Sequence, residues 1–156
     1  MKTIVIGLGN PILGDDGIGW RVAEAISACL GQRAAVEIDT ASLRGLSLME
    51  RLTGYERVIL VDAIFTGQKP VGTVSQFHLS ELPDLSTGHP GATPDTSLRN
   101  ALNIGRSMDI PLPQDKEVMI VVIETENVYD FSEKLSPPVE AAIPLAVEAV
   151  LNLLHK

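Results

Sequence analysis

A lone cysteine, Cys29, cannot form an internal disulfide, so the chain must hold its fold without staples, as expected of a reducing, cytoplasmic setting. Its 156 residues suffice for that, because one domain of this size buries most of its apolar surface in a single core. Basic residues are scarce as well. Twelve Lys and Arg against twenty Asp and Glu give a formal charge of -8, which leaves no basic stripe to neutralise a nucleic-acid backbone or an anionic membrane. There is no signal-like opening, with a basic segment, an apolar core and a cleavage site. The longest uninterrupted apolar runs, such as Val118 to Ile123, are strand-sized and far short of the ~20 residues of a membrane helix. A soluble single domain, with neither nucleic acid nor membrane as partner, is expected.

Several catalytic signatures are missing too. The sequence has no HExxH helix, no CxxC pair and no GxSxG elbow. Cys29 falls on the apolar stripe of the first helical pattern, which predicts a core residue and not a nucleophile.

What is present is an alternation of strand and helix. Thr3 to Leu8 (TIVIGL) reads as a strand buried on both faces. From Gly17 onward Ile18, Val22, Ile26 and Cys29/Leu30 recur at helical spacing, with Asp16 placed to cap the helix. Ala35 to Ile38 reads as a second strand and Leu43 to Leu52 as a second helix, stopped by Gly54. Arg57 to Ala63 (RVILVDA) is a third buried strand closing on Asp62. Gly72 to Leu79 alternates apolar and polar residues, as an edge or antiparallel strand does. Ser80 to Pro94 is a long Pro/Gly/Ser/Thr loop. A helix follows from Asp95 or Thr96 toward Gly105, then the core strand Val118 to Ile123. Ser136-Pro137 opens a closing helix, with Pro144 placed to kink it. The pattern predicts a single α/β domain over residues 1–156. Its architecture is a three-layer α/β/α sandwich on a mostly parallel twisted sheet of about five strands, with one antiparallel edge strand.

In such a sheet ligands bind beyond the carboxyl ends of the strands. Asp16 follows the first strand and Asp62 closes the third, so neighbouring strands would bring both carboxylates to one crevice. Asp16 has a structural alternative as a helix cap. An acid at the end of an apolar strand, as Asp62 is, is costly unless paired or ligated. Gly7-Leu8-Gly9 begins like a dinucleotide fingerprint, but its third position is Ile12. Asp15 and Asp16 also put negative charge where a pyrophosphate would sit, and Asp39 makes only a partial ribose partner. Of the three histidines, surface placement accounts for His78 and His155, while His89 sits in the long loop. Two carboxylates and an imidazole suit a divalent ion such as nickel or zinc.

The opening MKTIVIGLGNPILGDDGIGWRVAEAI resembles the hydrogenase maturation endopeptidases, which begin with a strand, Gly-x-Gly-Asn and an acid-rich turn. VILVDAI (Val58 to Ile64) and KLSPPVEAAIPLAVEAVLNLL (Lys134 to Leu154) continue the resemblance in order, over most of the chain. It implies an endopeptidase that removes a C-terminal extension from the [NiFe]-hydrogenase large-subunit precursor once nickel is in place. It also implies metal ligands at Asp16, Asp62 and a loop histidine, with Asp16 and Asp62 as the catalytic pair; Asp15 is read as a solvated neighbour of Asp16. The family's histidine position falls near Pro94-Asp95-Thr96-Ser97-Leu98, where this chain has none. His89 is therefore the expected third ligand and Asp95 the alternative oxygen donor. Nickel would arrive with the precursor, and zinc or cadmium could stand in for it. Two rival readings are a maturation chaperone that binds the precursor without cutting it and a peptidyl-tRNA hydrolase. The latter family shares Gly-Leu-Gly-Asn-Pro but needs a basic face, and here Asp15-Asp16-Gly17 follows.

Overall fold

Five strands form one sheet in the computed structural model, which describes residues 1–31, 35–81 and 96–156. In chain order they are β1 (Thr3–Leu8), β2 (Val36–Ala41), β3 (Arg57–Ile64), β4 (Val74–His78) and β5 (Val118–Glu124), and in space β2-β1-β3-β5-β4. All neighbours are parallel except β4, which runs antiparallel along β5 at the edge. The mostly parallel sheet with one antiparallel edge strand is the arrangement the hydropathy pattern predicts.

Side chains of a strand alternate between faces, and here both faces are apolar. Ile4, Ile6, Val58, Leu60, Ile120 and Val122 face α2 (Gly45–Arg51) and α3 (Thr96–Ser107), where Leu48, Leu52, Leu98 and Leu102 close the layer. Val5, Ile59, Val61, Val121 and Ile123 face α1 (Ile18–Leu30), α4 (Pro137–Ala141) and α5 (Ile143–Leu154), meeting Ile18, Val22, Ile26, Val139, Ala146 and Val150. The three layers are as expected.

Two local expectations change. Cys29 is exposed. The stripe of α1 runs through Ile18, Val22 and Ile26 to the partly buried Leu30, and at 3.6 residues per turn that choice rotates Cys29 outward. The closing helix is broken into α4 and α5 at Ala142. Pro144 has no N–H to offer the carbonyl of Glu140 and its ring crowds that carbonyl, so the break is the stronger form of the expected kink. By composition alone Pro137–Leu154 has the length and mean hydropathy (1.3) of a membrane span, yet the broken pair packs its apolar side on the sheet.

The start of α1 touches β1 backbone to backbone. A Cβ on Gly7 would lie 2.1 Å from the carbonyl oxygen of Gly19, and one on Gly19 would lie 2.3 Å from the oxygen of Leu8 and 2.5 Å from that of Val61. The close helix–strand approach is thus provided by Gly7 and Gly19, without a glycine at position 12. Gly19→Ala should be destabilising although alanine favours helix, because the clash is with main chain that cannot swing aside. A loss of about 1–3 kcal/mol is expected against a propensity gain of about 1 kcal/mol or less. A urea midpoint no lower than wild type would contradict it.

On the far edge Arg51 of α2 bridges β2, donating to Glu37 Oε2 at 2.9 Å and to Asp39 Oδ2 at 3.0 Å. The Tyr55 hydroxyl also donates to Glu37. Asp39, the partial ribose candidate, is engaged in this structural network. The hydrogen bonds from Tyr55 and then Arg51 hold the Glu37 carboxyl below its ordinary 4.5. Burial, and then the bond to Glu37, raise the Tyr55 hydroxyl. A lowered carboxylate stabilises the fold above its unfolded value and loses that contribution as pH falls through the folded one. Glu37→Gln should therefore be less stable than wild type at pH 7, and the gap should close in melts taken below pH 4.5. Because Glu37 is half exposed the effect is small.

Candidate active site

After Leu8 the chain must leave β1 sharply, and Gly9 does so at φ 129°, with its α-carbon so close to the Asp16 carbonyl that a Cβ would sit 2.0 Å from it. The turn closes on itself. Asn10 N–H donates to Asp16 Oδ2 at 2.8 Å, Leu13 N–H to the Asn10 carbonyl at 3.1 Å and Asp16 N–H to the Leu13 carbonyl at 3.1 Å. A single 3-10 turn, Gly14–Gly17, then leads into α1. Asp16 does not cap that helix, since Gly17 occupies the cap position without any side-chain bond. Its carboxylate orders the turn instead and lines a cleft.

That cleft, of about 260 Å³, lies beyond the carboxyl ends of β1, β2 and β3 and is lined by Asn10, Asp16, Ser42, Arg44, Leu48 and Asp62 among others. Asp62 stands on β3, directly beside β1. Its Oδ1 accepts from the N–H of Ala63 at 2.8 Å. The two acids predicted to converge do line one cleft. Ser42 and Arg44 were missed by the sequence reading, although the rule that located Asp16 and Asp62 applies equally to the end of β2. Ser42 hydroxyl donates to the Gly9 carbonyl at 2.6 Å and so ties β2 to the turn. His89 and Asp95 lie outside the described residues. Among the described residues no three His, Cys, Asp or Glu side chains gather as a metal set.

Asp15 is not a solvated neighbour. It is fully buried, and its carboxylate is the hub of the 125–136 loop. Oδ1 accepts from Ser136 N–H at 2.6 Å, and Oδ2 accepts from the Ser136 hydroxyl at 2.8 Å and from the N–H groups of Asn127 and Glu126 at 3.3 and 3.4 Å. The Ser136 hydroxyl, at the N-cap position of α4, is spent here, and α4 starts without a side-chain cap. Gly14 N–H donates to the Ser132 carbonyl and Ser132 N–H to that of Ile12, at 2.8 and 2.9 Å. Adjacent carboxylates thus divide the work, one inward to the loop and one outward to the cleft.

A larger cleft of about 580 Å³ opens at the opposite end of the sheet, beside Met1, Arg57, His78, Lys116 and Lys156. It lies at the amino ends of the parallel strands. His78 has its Nδ1 paired with the Lys116 carbonyl there at 3.0 Å and is part-exposed, the surface role expected of it. The cleft carries neither of the acids singled out above.

The family model described as hydrogenase maturation protease matches residues 20–153. The chain is 28% identical over 158 residues to the hydrogenase 2 maturation protease of Escherichia coli K12, covering 100% of this chain and 92% of that protein. It is 25% identical over 154 residues to the hydrogenase expression/formation protein HupD of Rhizobium leguminosarum bv. viciae, covering 99% and 74%. Among solved structures, the hydrogenase maturating endopeptidase HybD from E. coli aligns with a TM-score of 0.77 at 28% identity, over 99% of this chain and 93% of that one. Strand order, the acidic turn after β1 and these matches agree: the chain belongs to the hydrogenase maturation protease family.

Proposed function

We propose that the cleft receives the C-terminal tail of a [NiFe]-hydrogenase large-subunit precursor, with Asp16 and Asp62 holding the nickel that the precursor already carries. Removal of that extension is the role of the family. The observation that supports the nickel reading is the opening on one cleft of two carboxylates, one from the turn after β1 and one from the neighbouring β3. Carboxylate oxygens are acceptable donors to a divalent ion that also has imidazole available, and His89 is the third donor in this reading, with Asp95 the alternative. Zinc or cadmium would occupy the same donors. The setting proposed is the cytoplasm.

Hydrolysis adds water across one amide. The carbonyl carbon gains the hydroxyl, the C–N bond breaks and the leaving nitrogen takes the proton. Asp16 and Asp62 grip the cation and so place the scissile bond beside water, where proximity supplies part of the rate gain. The same cation would either polarise the carbonyl or activate the water, or serve only as the handle that positions the bond. Arg44, the cationic side chain lining the cleft among the described residues, offers guanidinium donors to main-chain carbonyls of the tail. The test is the mass of a nickel-loaded precursor before and after incubation with the protein. Loss of the extension is expected. Stable binding with no change in mass would favour the chaperone reading instead.

A further inference from the structure

The chain holds six aromatic residues, one Trp, two Tyr and three Phe. Two of them, Tyr129 and Phe131, are 81% and 85% exposed on the loop that follows β5. Scattered exposed apolar side chains are ordinary. These two differ because the loop that displays them is fastened to the body at both ends. Asp15 binds it at Glu126, Asn127 and Ser136, while the turn residues Ile12 and Gly14 bond to Ser132. Ile12, itself 48% exposed, extends the apolar display onto the turn that carries Asp16. Part of the backbone entropy that the loop must lose on binding is thereby already lost. Aromatic side chains displayed on a held loop are suited to anchor protein interfaces.

We infer that the Tyr129-Asp130-Phe131 loop is a docking element for the body of the precursor, selecting the substrate before its tail enters the cleft. This rests on the proteolytic reading above. Three observations commit it to that partner. The loop is bonded to Asp15, the immediate neighbour of the cleft residue Asp16, so whatever docks on the loop is held in fixed register with the reactive end. The cleft, at about 260 Å³, is small beside the surface of a folded precursor, so a contact outside it adds selectivity. The loop also carries Glu126, Asp130 and Glu133 against the one cation Lys134, within a chain of charge -8. The surface it fits is therefore apolar and ringed by Lys or Arg, and complementarity of that kind steers encounter and fixes register.

The experiment compares wild type, the double variant Tyr129→Ser/Phe131→Ser and the charge reversal Asp130→Lys, all as the full chain with nickel-loaded precursor. Dissociation constants are read by titration, and cleavage rates at saturating precursor by mass spectrometry. The double variant should bind roughly ten- to a hundredfold more weakly, the scale of losing interface anchors. Its cleavage rate at saturation should stay within about twofold of wild type. Asp130→Lys should weaken binding and reduce its dependence on salt. Unchanged affinity in the double variant overturns the inference. So does a wild-type dimer that the double variant converts to monomer while precursor affinity is kept, because the loop would then be a contact between two copies of this chain. If wild type binds the precursor but leaves its mass unchanged, the proteolytic reading fails, and the affinity comparison still decides the docking role.

Discussion

Asp16→Asn should leave the melting temperature within a few degrees of wild type and yet stall precursor shortening. The amide oxygen of asparagine can still accept from Asn10 N–H, so the turn keeps the bond that closes it. What disappears is the negative charge offered to the cation. Asp62→Asn separates the same two roles, because the amide oxygen can still accept from Ala63 N–H as Oδ1 does now. A drop in processing rate of at least about a hundredfold is expected for each, since even outer partners of metal ligands register on that scale. Rates on nickel-loaded precursor, followed by mass, provide the check. Normal processing by either variant would remove that carboxylate from the proposed site. The same assay on His89→Ala and Asp95→Ala identifies the third donor as whichever of them falls with the two aspartates.

Asp15→Ala should do its damage through stability. Four donors now meet this buried carboxylate, and alanine would leave them facing an apolar methyl. Hydrogen bonds to a charged group contribute about 1.5–3 kcal/mol each, and the two shortest here alone give a loss of about 3 kcal/mol or more. For a chain of this length that lowers the melting temperature by about 6–12 °C. Asp15→Asn should recover less than half of it, because its NH2 would point a donor at donors. Amide exchange at Asn127 and Ser136 should quicken in both variants. A melt unchanged in Asp15→Ala would contradict the assignment of this side chain as the hub of the loop.

The contrast between these adjacent acids shows what the sequence could and could not carry. β1, β3 and β5 were readable because buried parallel strands are continuous apolar runs, and the edge position of β4 because its residues alternate. The convergence of Asp16 and Asp62 was readable because the topology of a parallel sheet decides which loops meet. Nothing local distinguishes Asp15 from Asp16. The bond that turns Asp15 inward comes from Ser136, 121 residues along the chain, and no periodicity reports it. Cys29 was misplaced because spacings of three and four both continue a helical stripe, and only the packing of Leu30 selects between them. Ser42 and Arg44 are not legible because β2 continues to Ala41, beyond the short apolar run Ala35 to Ile38, and only that extension carries its loop to the crevice.

At the point where Gly7 meets Gly19, the first strand and the first helix touch main chain to main chain. The spacing at that contact, close to Asp16, rests on main-chain atoms, which an exchange of aliphatic side chains elsewhere does not alter. The reactive end is in this sense insulated from the interior. Drift among Val, Ile and Leu in either core can tune the durability of the protein without re-aiming its carboxylate.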